Sequence, residues 1–134
     1  AITEDEKVIM VRQYRHSGNI ISIEIPGGVI DGDEAPVHAA KRELLEETGY
    51  SFEAIEKLST LYANPATGNN KTHCYLATGG TKVQEQNLDS REEIIVELVS
   101  IDKLKELLLN NEFAQALNVS NIFYALIKLG MITF

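Results

Sequence analysis

One stretch of about 13 residues constrains this chain more than any other. It runs from Pro36, well suited to a first helical position, to Thr48, and Gly49 follows as a terminator. Ala35 is a poor cap, so the start of this helix is expected to rely on Asp33 or on packing. At 100° per residue, Glu43, Glu46 and Glu47 fall within an arc of roughly 100°, while Val37, Ala40, Leu44 and Thr48 centre on another face. The helix therefore has a core face and an acidic edge. Three carboxylates so placed repel one another and raise each other's pKa values unless a cation neutralises them. Oxygen donors suit a hard divalent ion such as Mg²⁺, with Mn²⁺ an acceptable substitute. Arg42 stands four residues before Glu46, where it can pair with and orient that carboxylate. Gly27 and Gly28 let the main chain approach closely, so that a carbonyl there can complete a metal site.

An acidic helix is often only a solvated face. The spacing around this one argues otherwise. From Gly28 the chain has five residues, Glu34, seven residues, then Arg42-Glu43-Leu44-Leu45-Glu46-Glu47-Thr48-Gly49-Tyr50. This resembles the Nudix box, G-x5-E-x7-R-E-U-x-E-E-x-G-U with U bulky and apolar, at every fixed position. The one departure is Tyr50, aromatic where an aliphatic residue is commoner, and it is expected to pack. Glu24-Ile25-Pro26-Gly27-Gly28 and Val11-Arg12-Gln13-Tyr14-Arg15 resemble segments of the ADP-ribose pyrophosphatase branch of that family. Pro65, 16 residues after Gly49, stands where that branch often has a proline.

The resemblance implies an α+β fold, a Nudix-like α/β/α sandwich with a mixed β-sheet, over residues 1–134 as one domain. It implies that Glu43, Glu46 and Glu47, with a carbonyl near Gly27, hold Mg²⁺ against a pyrophosphate, and that Gly28, Arg42 and Gly49 are structural. Glu46 and Glu47 then count as catalytic together with a glutamate on the loop Leu88-Asp89-Ser90-Arg91-Glu92-Glu93, where the register of the following strand favours Glu92 over Glu93. Arg15, Glu24 and Pro65 are the implied substrate contacts, although a surface role for Arg15 stays open. Glu34 has either a local structural or a peripheral metal role. The implied reaction is hydrolysis of a nucleoside diphosphate linked to another group, with ADP-ribose giving AMP and ribose 5-phosphate. The same box also serves dinucleoside polyphosphates, nucleotide sugars and nucleoside triphosphates. A non-catalytic nucleotide sensor is a further alternative, but it would be expected to carry degenerate box carboxylates. The family implies a homodimer. The branch commonly has an N-terminal strand region used for dimerisation, which is expected to be short or missing here, and residues 65–71 are rich in Asn and Gly rather than acidic.

The rest of the chain reads as alternating strands and helices. Strands are expected over residues 8–14 and 20–25, joined by a turn at His16-Ser17-Gly18-Asn19, then over 55–62, 72–77 and 94–99. Turn chemistry marks residues 64–69 and Gly79-Gly80. Apolar spacing predicts helices over 102–109 and about 112–129, with Leu104, Leu107, Leu108, Phe113, Leu117, Phe123, Leu126 and Leu129 as core. Such interleaving suits an α+β or layered α/β/α domain. The net charge of -8 disfavours a nucleic-acid polymer and requires cations between the protein and a small phosphorylated substrate. Without a bilayer-length apolar run or a signal-peptide pattern, a soluble cytoplasmic protein without membrane association is expected. The lone Cys74 fits a reducing compartment and a small buried hydrophobe. His16, His38 and His73 have no metal-ligand spacing, and Asp31-Gly32-Asp33 is read as a turn.

Overall fold

The computed structural model describes all residues, Ala1–Phe134. Strands β1 (Val8–Arg15) and β2 (Ile20–Glu24) form an antiparallel hairpin in which Val11 faces Glu24 and Arg15 faces Ile20. The other edge of β1 pairs with β7 (Ile95–Val99), giving the order β2-β1-β7. Helix α1 (Pro36–Thr48) follows β2, and the short β3 (Tyr50–Ser51) follows α1. Strands β4 (Ala54–Tyr62) and β5 (Lys71–Thr78) make a second antiparallel ribbon, irregular between Lys57 and Ser59. Strand β6 (Thr81–Lys82) pairs with β3, and helices α2 (Ile101–Leu109) and α3 (Ala116–Lys128) close the chain.

Because side chains alternate along a strand, Val8 and Met10 share one face of β1 and Ile9 and Val11 the other. All four are buried, so β1 is covered on both faces. Val8 and Met10 pack with Ile23, Leu104, Phe113, Ile122 and Leu126, which joins the β1-β2-β7 sheet to α2 and α3. Each of the fully buried Met10 and Leu126 contributes about 1.5–3 kcal/mol by leaving water. Helices α1 and α3 both contact β5, which supplies the layering expected of an α/β/α arrangement. Pairing between the named strands is antiparallel throughout, and the parallel component is the Thr3–Gly80 bridge.

Helix α1 has the bounds expected from Pro36 and Gly49. Its first turn has no side-chain cap, so Asp33 does not serve there, and the proline at the start, which has no N–H to satisfy, eases the omission. Helix α2 begins one residue earlier than expected because Ser100 accepts the Lys103 N–H at 3.0 Å. Helix α3 begins at Ala116 rather than near Glu112. Asn111 has a left-handed φ of 56°, and the buried Phe113 enters the core from an irregular connection, mimicking helical spacing. Within α3 the core stripe is Asn118, Ile122 and Leu126, whereas Phe123, expected inside, is exposed. Strands β3 and β6 were not expected; two residues are too few to show a period. Cys74 is fully buried and unpaired, as expected. No helix is long and apolar enough to cross a membrane.

Candidate functional site

The acidic edge of α1 lies against the segment that leaves β2. The Gly27 N–H donates to Glu47 Oε2 at 3.2 Å, so the main-chain contact observed at Gly27 runs through its N–H. Gly28 lies so close to the Glu43 carboxylate that a Cβ in its place would overlap it. Only glycine leaves that carboxylate where it stands. The segment is also tied down from behind, because the buried Asn118 of α3 accepts the Ile25 N–H through Oδ1 at 2.6 Å. Asn118 carried no signal in the sequence, since it sits within an apolar helical pattern.

Arg42 is a hub rather than the partner of Glu46 alone. Its Nε and Nη2 bind Glu34 at 3.1 and 2.7 Å, its Nη1 reaches Glu43 at 3.0 Å and Glu46 at 3.2 Å, and Nη2 also donates to the Val29 carbonyl at 3.0 Å. A planar guanidinium with five donors can satisfy this set, which a lysine cannot. The Arg42 hydrogen bonds, helped by the Asp31 N–H, hold the Glu34 carboxyl at about 2, well below the usual carboxylate range. Of the two roles open to Glu34, the structure displays the local structural one.

Glu47 differs from the other two. Placed by the sequence on the acidic edge rather than the core face, it is only 4% exposed. Burial pushes its carboxyl up to about 8; the Gly27 N–H opposes that rise, the charges of Glu43 and Glu92 add to it, and Arg15 opposes it. Burial also raises Glu43, partly offset by Arg42 and reinforced by Glu46 and Glu92. Thus Glu43, Glu47 and Glu92 share one electrostatic neighbourhood although Glu92 is 45 residues beyond Glu47. The charge of Glu92 acts on both Glu43 and Glu47 of α1.

The loop that carries Glu92 is anchored on the C-terminal turn of α1. A helix leaves its last carbonyls without partners of its own. Here Leu45 O is taken by the Gly49 N–H, Glu46 O by Asn87 N at 2.8 Å and Glu47 O by Gln86 Nε2 at 2.7 Å. Gln86 Nε2 also donates to Ile94 O at 2.9 Å. Gly49 adopts the left-handed φ of 78° that ends the helix, and a Cβ there would overlap the Gln84 carbonyl. Gln86 was not singled out in the sequence, where a glutamine in a polar segment gives no signal.

Arg15 and Glu24 meet across the hairpin in a bidentate pair, Nε to Oε2 at 2.7 Å and Nη2 to Oε1 at 2.6 Å. Glu24 is buried and Arg15 half exposed. Burial alone would raise Glu24, but the hydrogen bonds from Arg15 and Ser22 and the arginine's charge hold it below its ordinary value. Glu24 therefore touches Arg15, and it is Arg15 whose charge extends toward Glu47. Pro65 lies in the exposed turn between β4 and β5, whose hydrogen bonds, from Ala66, Thr67 and Gly68 to Asn64, stay within the turn. No polar contact joins it to the acidic group.

The donor set is all oxygen and sets the buried Glu47 carboxylate in the repelling field of Glu43 and Glu92, which fits a hard divalent ion. No three acidic, His or Cys side chains converge tightly enough to enclose an ion as they stand. Glu43 and Glu46 are turned to Arg42 Nη1, so ion binding requires them to share or leave that partner.

The NUDIX domain model matches residues 1–118. The chain is 32% identical over 129 residues to an ADP-ribose pyrophosphatase of Bacillus subtilis (strain 168), covering 96% of this chain and 70% of that protein. It is 37% identical over 101 residues to a methanol dehydrogenase activator of Bacillus methanolicus, covering 75% of this chain and 54% of that one. The chain therefore spans only part of these relatives, about half of the second. Among solved structures, an ADP compounds hydrolase superposes with a TM-score of 0.83 at 25% identity, over 96% of this chain and 70% of that chain. The box spacing, the helix that presents it and the match over residues 1–118 agree: this chain belongs to the Nudix hydrolase family.

Proposed function

We propose that this chain hydrolyses the pyrophosphate of a nucleoside diphosphate linked to a second group, and that ADP-ribose is its substrate, giving AMP and ribose 5-phosphate. One observation carries the reading: Glu47 is buried beside two other carboxylates, an arrangement that costs stability unless a cation completes it. The ADP-ribose pyrophosphatase and ADP compounds hydrolase named above support the substrate class.

In this reading Glu43, Glu46 and Glu47, with the main chain near Gly27, hold a divalent ion, Mg²⁺ with Mn²⁺ as substitute. Such an ion supplies charge neutralisation at the phosphoryl oxygens and acidifies the attacking water. Glu92 orients that water and takes its proton, a role that needs reach from a loop more than a fixed helical position. Water oxygen bonds to one phosphorus, the bridging P–O bond breaks, and the departing phosphate keeps the bridging oxygen. Arg15, held by Glu24, presents its remaining donors to a phosphate. Pro65 shapes the far end of the substrate cleft. To the same proposal belong a single catalytic domain over residues 1–134, a homodimer and a cytoplasmic setting.

The test is incubation with a panel of ADP-ribose, dinucleoside polyphosphates, nucleotide sugars and nucleoside triphosphates in Mg²⁺ or Mn²⁺, with products separated by chromatography. AMP and ribose 5-phosphate from ADP-ribose are expected. Nucleotide binding without turnover under either ion would instead establish a sensor.

A further inference from the structure

We propose that Gln86 is a positioning residue: its side-chain amide fixes the Glu92 loop against the helix that carries the metal-binding carboxylates. The inference rests on the catalytic reading of Glu92 above. Glu46 and Glu47 each act in two directions. Their side chains line the acidic site, while their carbonyls accept from Asn87 N and Gln86 Nε2. The same Gln86 nitrogen binds Ile94 O, so one amide group ties both ends of the intervening loop to each other and to the main chain of Glu47. Ile94 is buried and fixes the far end, and inside the loop Glu92 Oε1 accepts the Asp89 N–H at 3.1 Å. Val83 and Gln84 donate to Gly49 O and secure the approach to Gln86.

A loop closed at its base has far fewer positions available to its tip than one hinged at two separate points. A group that activates water must be held within about 0.5 Å of its working place, and loops achieve this only with supporting contacts. Nothing else in the structure bonds the Glu47 and Ile94 carbonyls together. Gln86 is exposed overall, which makes it a poor candidate for a core role and leaves its two inward hydrogen bonds as its contribution.

The experiment is a double-mutant cycle with Gln86→Met, which keeps the length and removes the donors, and Glu92→Gln, read as kcat and KM for ADP-ribose in Mg²⁺. Gln86→Met is expected to lower kcat about ten-fold with KM changed less than about two-fold. In the Glu92→Gln background the same substitution is expected to change kcat less than about two-fold, because the group it positions is already disabled. An equal loss in both backgrounds, or no loss in the first, would overturn the proposal. Hydrogen exchange of residues 87–93 in the metal-loaded protein is the second measurement, independent of turnover. Gln86→Met should speed exchange there about ten-fold and leave β1 unchanged; unchanged loop exchange overturns the positioning role. Should wild type turn over no nucleotide, the catalytic reading fails, and the exchange result still decides whether Gln86 holds the loop. If Gln86→Met does not fold, Gln86→Lys keeps a donor of sufficient reach, and a kcat of the folded Lys variant ten-fold below wild type would overturn the proposal.

Discussion

Replacing Glu47 by Gln separates the electrostatic cost of this side chain from its packing. The carboxyl is 4% exposed and stands at about 8 in the folded metal-free protein, against an ordinary value of 4.5. A folded-state pKa raised above the unfolded one means that the native protein holds the proton more tightly. The associated stability is fully present below pH 4.5 and is lost as pH rises through about 8. A displacement of this size corresponds to about 5 kcal/mol, an upper limit because relaxation and water entry recover part of it. Domains of this size are stable by roughly 5–15 kcal/mol, so the loss will be visible. Urea unfolding followed by circular dichroism, in EDTA at pH 5 and pH 9, is the assay. Wild type is expected to lose about 2–4 kcal/mol more than Glu47→Gln over that interval, since the amide is neutral throughout and still accepts the Gly27 N–H. At pH 9 the variant should be the more stable protein and an inactive one. Parallel pH slopes for the two proteins would refute the idea that Glu47 is held at an electrostatic cost.

Three further outcomes follow from the same geometry. Gly28→Ala should displace the Glu43 carboxylate at little cost in stability, because the obstructing atoms are the end of a flexible side chain; we expect turnover to fall about ten-fold or more with Tm changed by less than about 3 °C, checked by steady-state kinetics and thermal melts. Asn118→Ala leaves the Ile25 N–H without its partner and should cost about 1–3 kcal/mol in urea unfolding, whereas no cost would mean that water replaces the amide. If Glu47 holds the ion as proposed, Mg²⁺ must displace its proton, so calorimetry should find affinity weakening as pH falls below about 8, by up to about ten-fold per pH unit, with proton release on binding; affinity constant between pH 6 and 8 would remove Glu47 from the ion site.

The residues whose role depends on local spacing were legible before the fold was known. Pro36 and Gly49 bracket α1 as expected, and the i, i+3 and i, i+4 relations among Glu43, Glu46 and Glu47 follow from helical geometry alone. Depth was not legible. The wheel sets Glu47 about 100° from Glu46 and nearer the core face. How deeply it is covered depends on the segment after β2, whose Gly27 N–H binds its carboxylate and which Asn118 pins at Ile25 from α3, a contact across 93 residues. Likewise the apolar spacing counted Phe113 and Phe123 as one helical stripe, but Phe113 lies outside α3, whose inward face is Asn118, Ile122 and Leu126, so Leu126 is inside as expected and Phe123 is exposed. Arg42 was legible as a partner of Glu46, an i, i+4 pair, and not as the clamp on Glu34, because that contact exists only after the chain before α1 folds back on the helix.

That clamp bears on how the site works. Arg42 Nη1 lies within 3.2 Å of both Glu43 and Glu46, so in the ion-free protein it supplies the positive charge those two carboxylates lack. Its Nε and Nη2 are bound to Glu34, which would keep Arg42 beside the site if an ion took Glu43 and Glu46. The Glu47 carboxylate has no cationic hydrogen-bond partner; the one hydrogen bond it accepts comes from the neutral Gly27 N–H. Under the proposed function, ion binding would exchange a guanidinium for a metal at Glu43 and Glu46 but would supply a missing charge at Glu47. The differential stabilisation is concentrated at Glu47, which is why its substitution, rather than that of Glu46, is expected to flatten the pH response of folding.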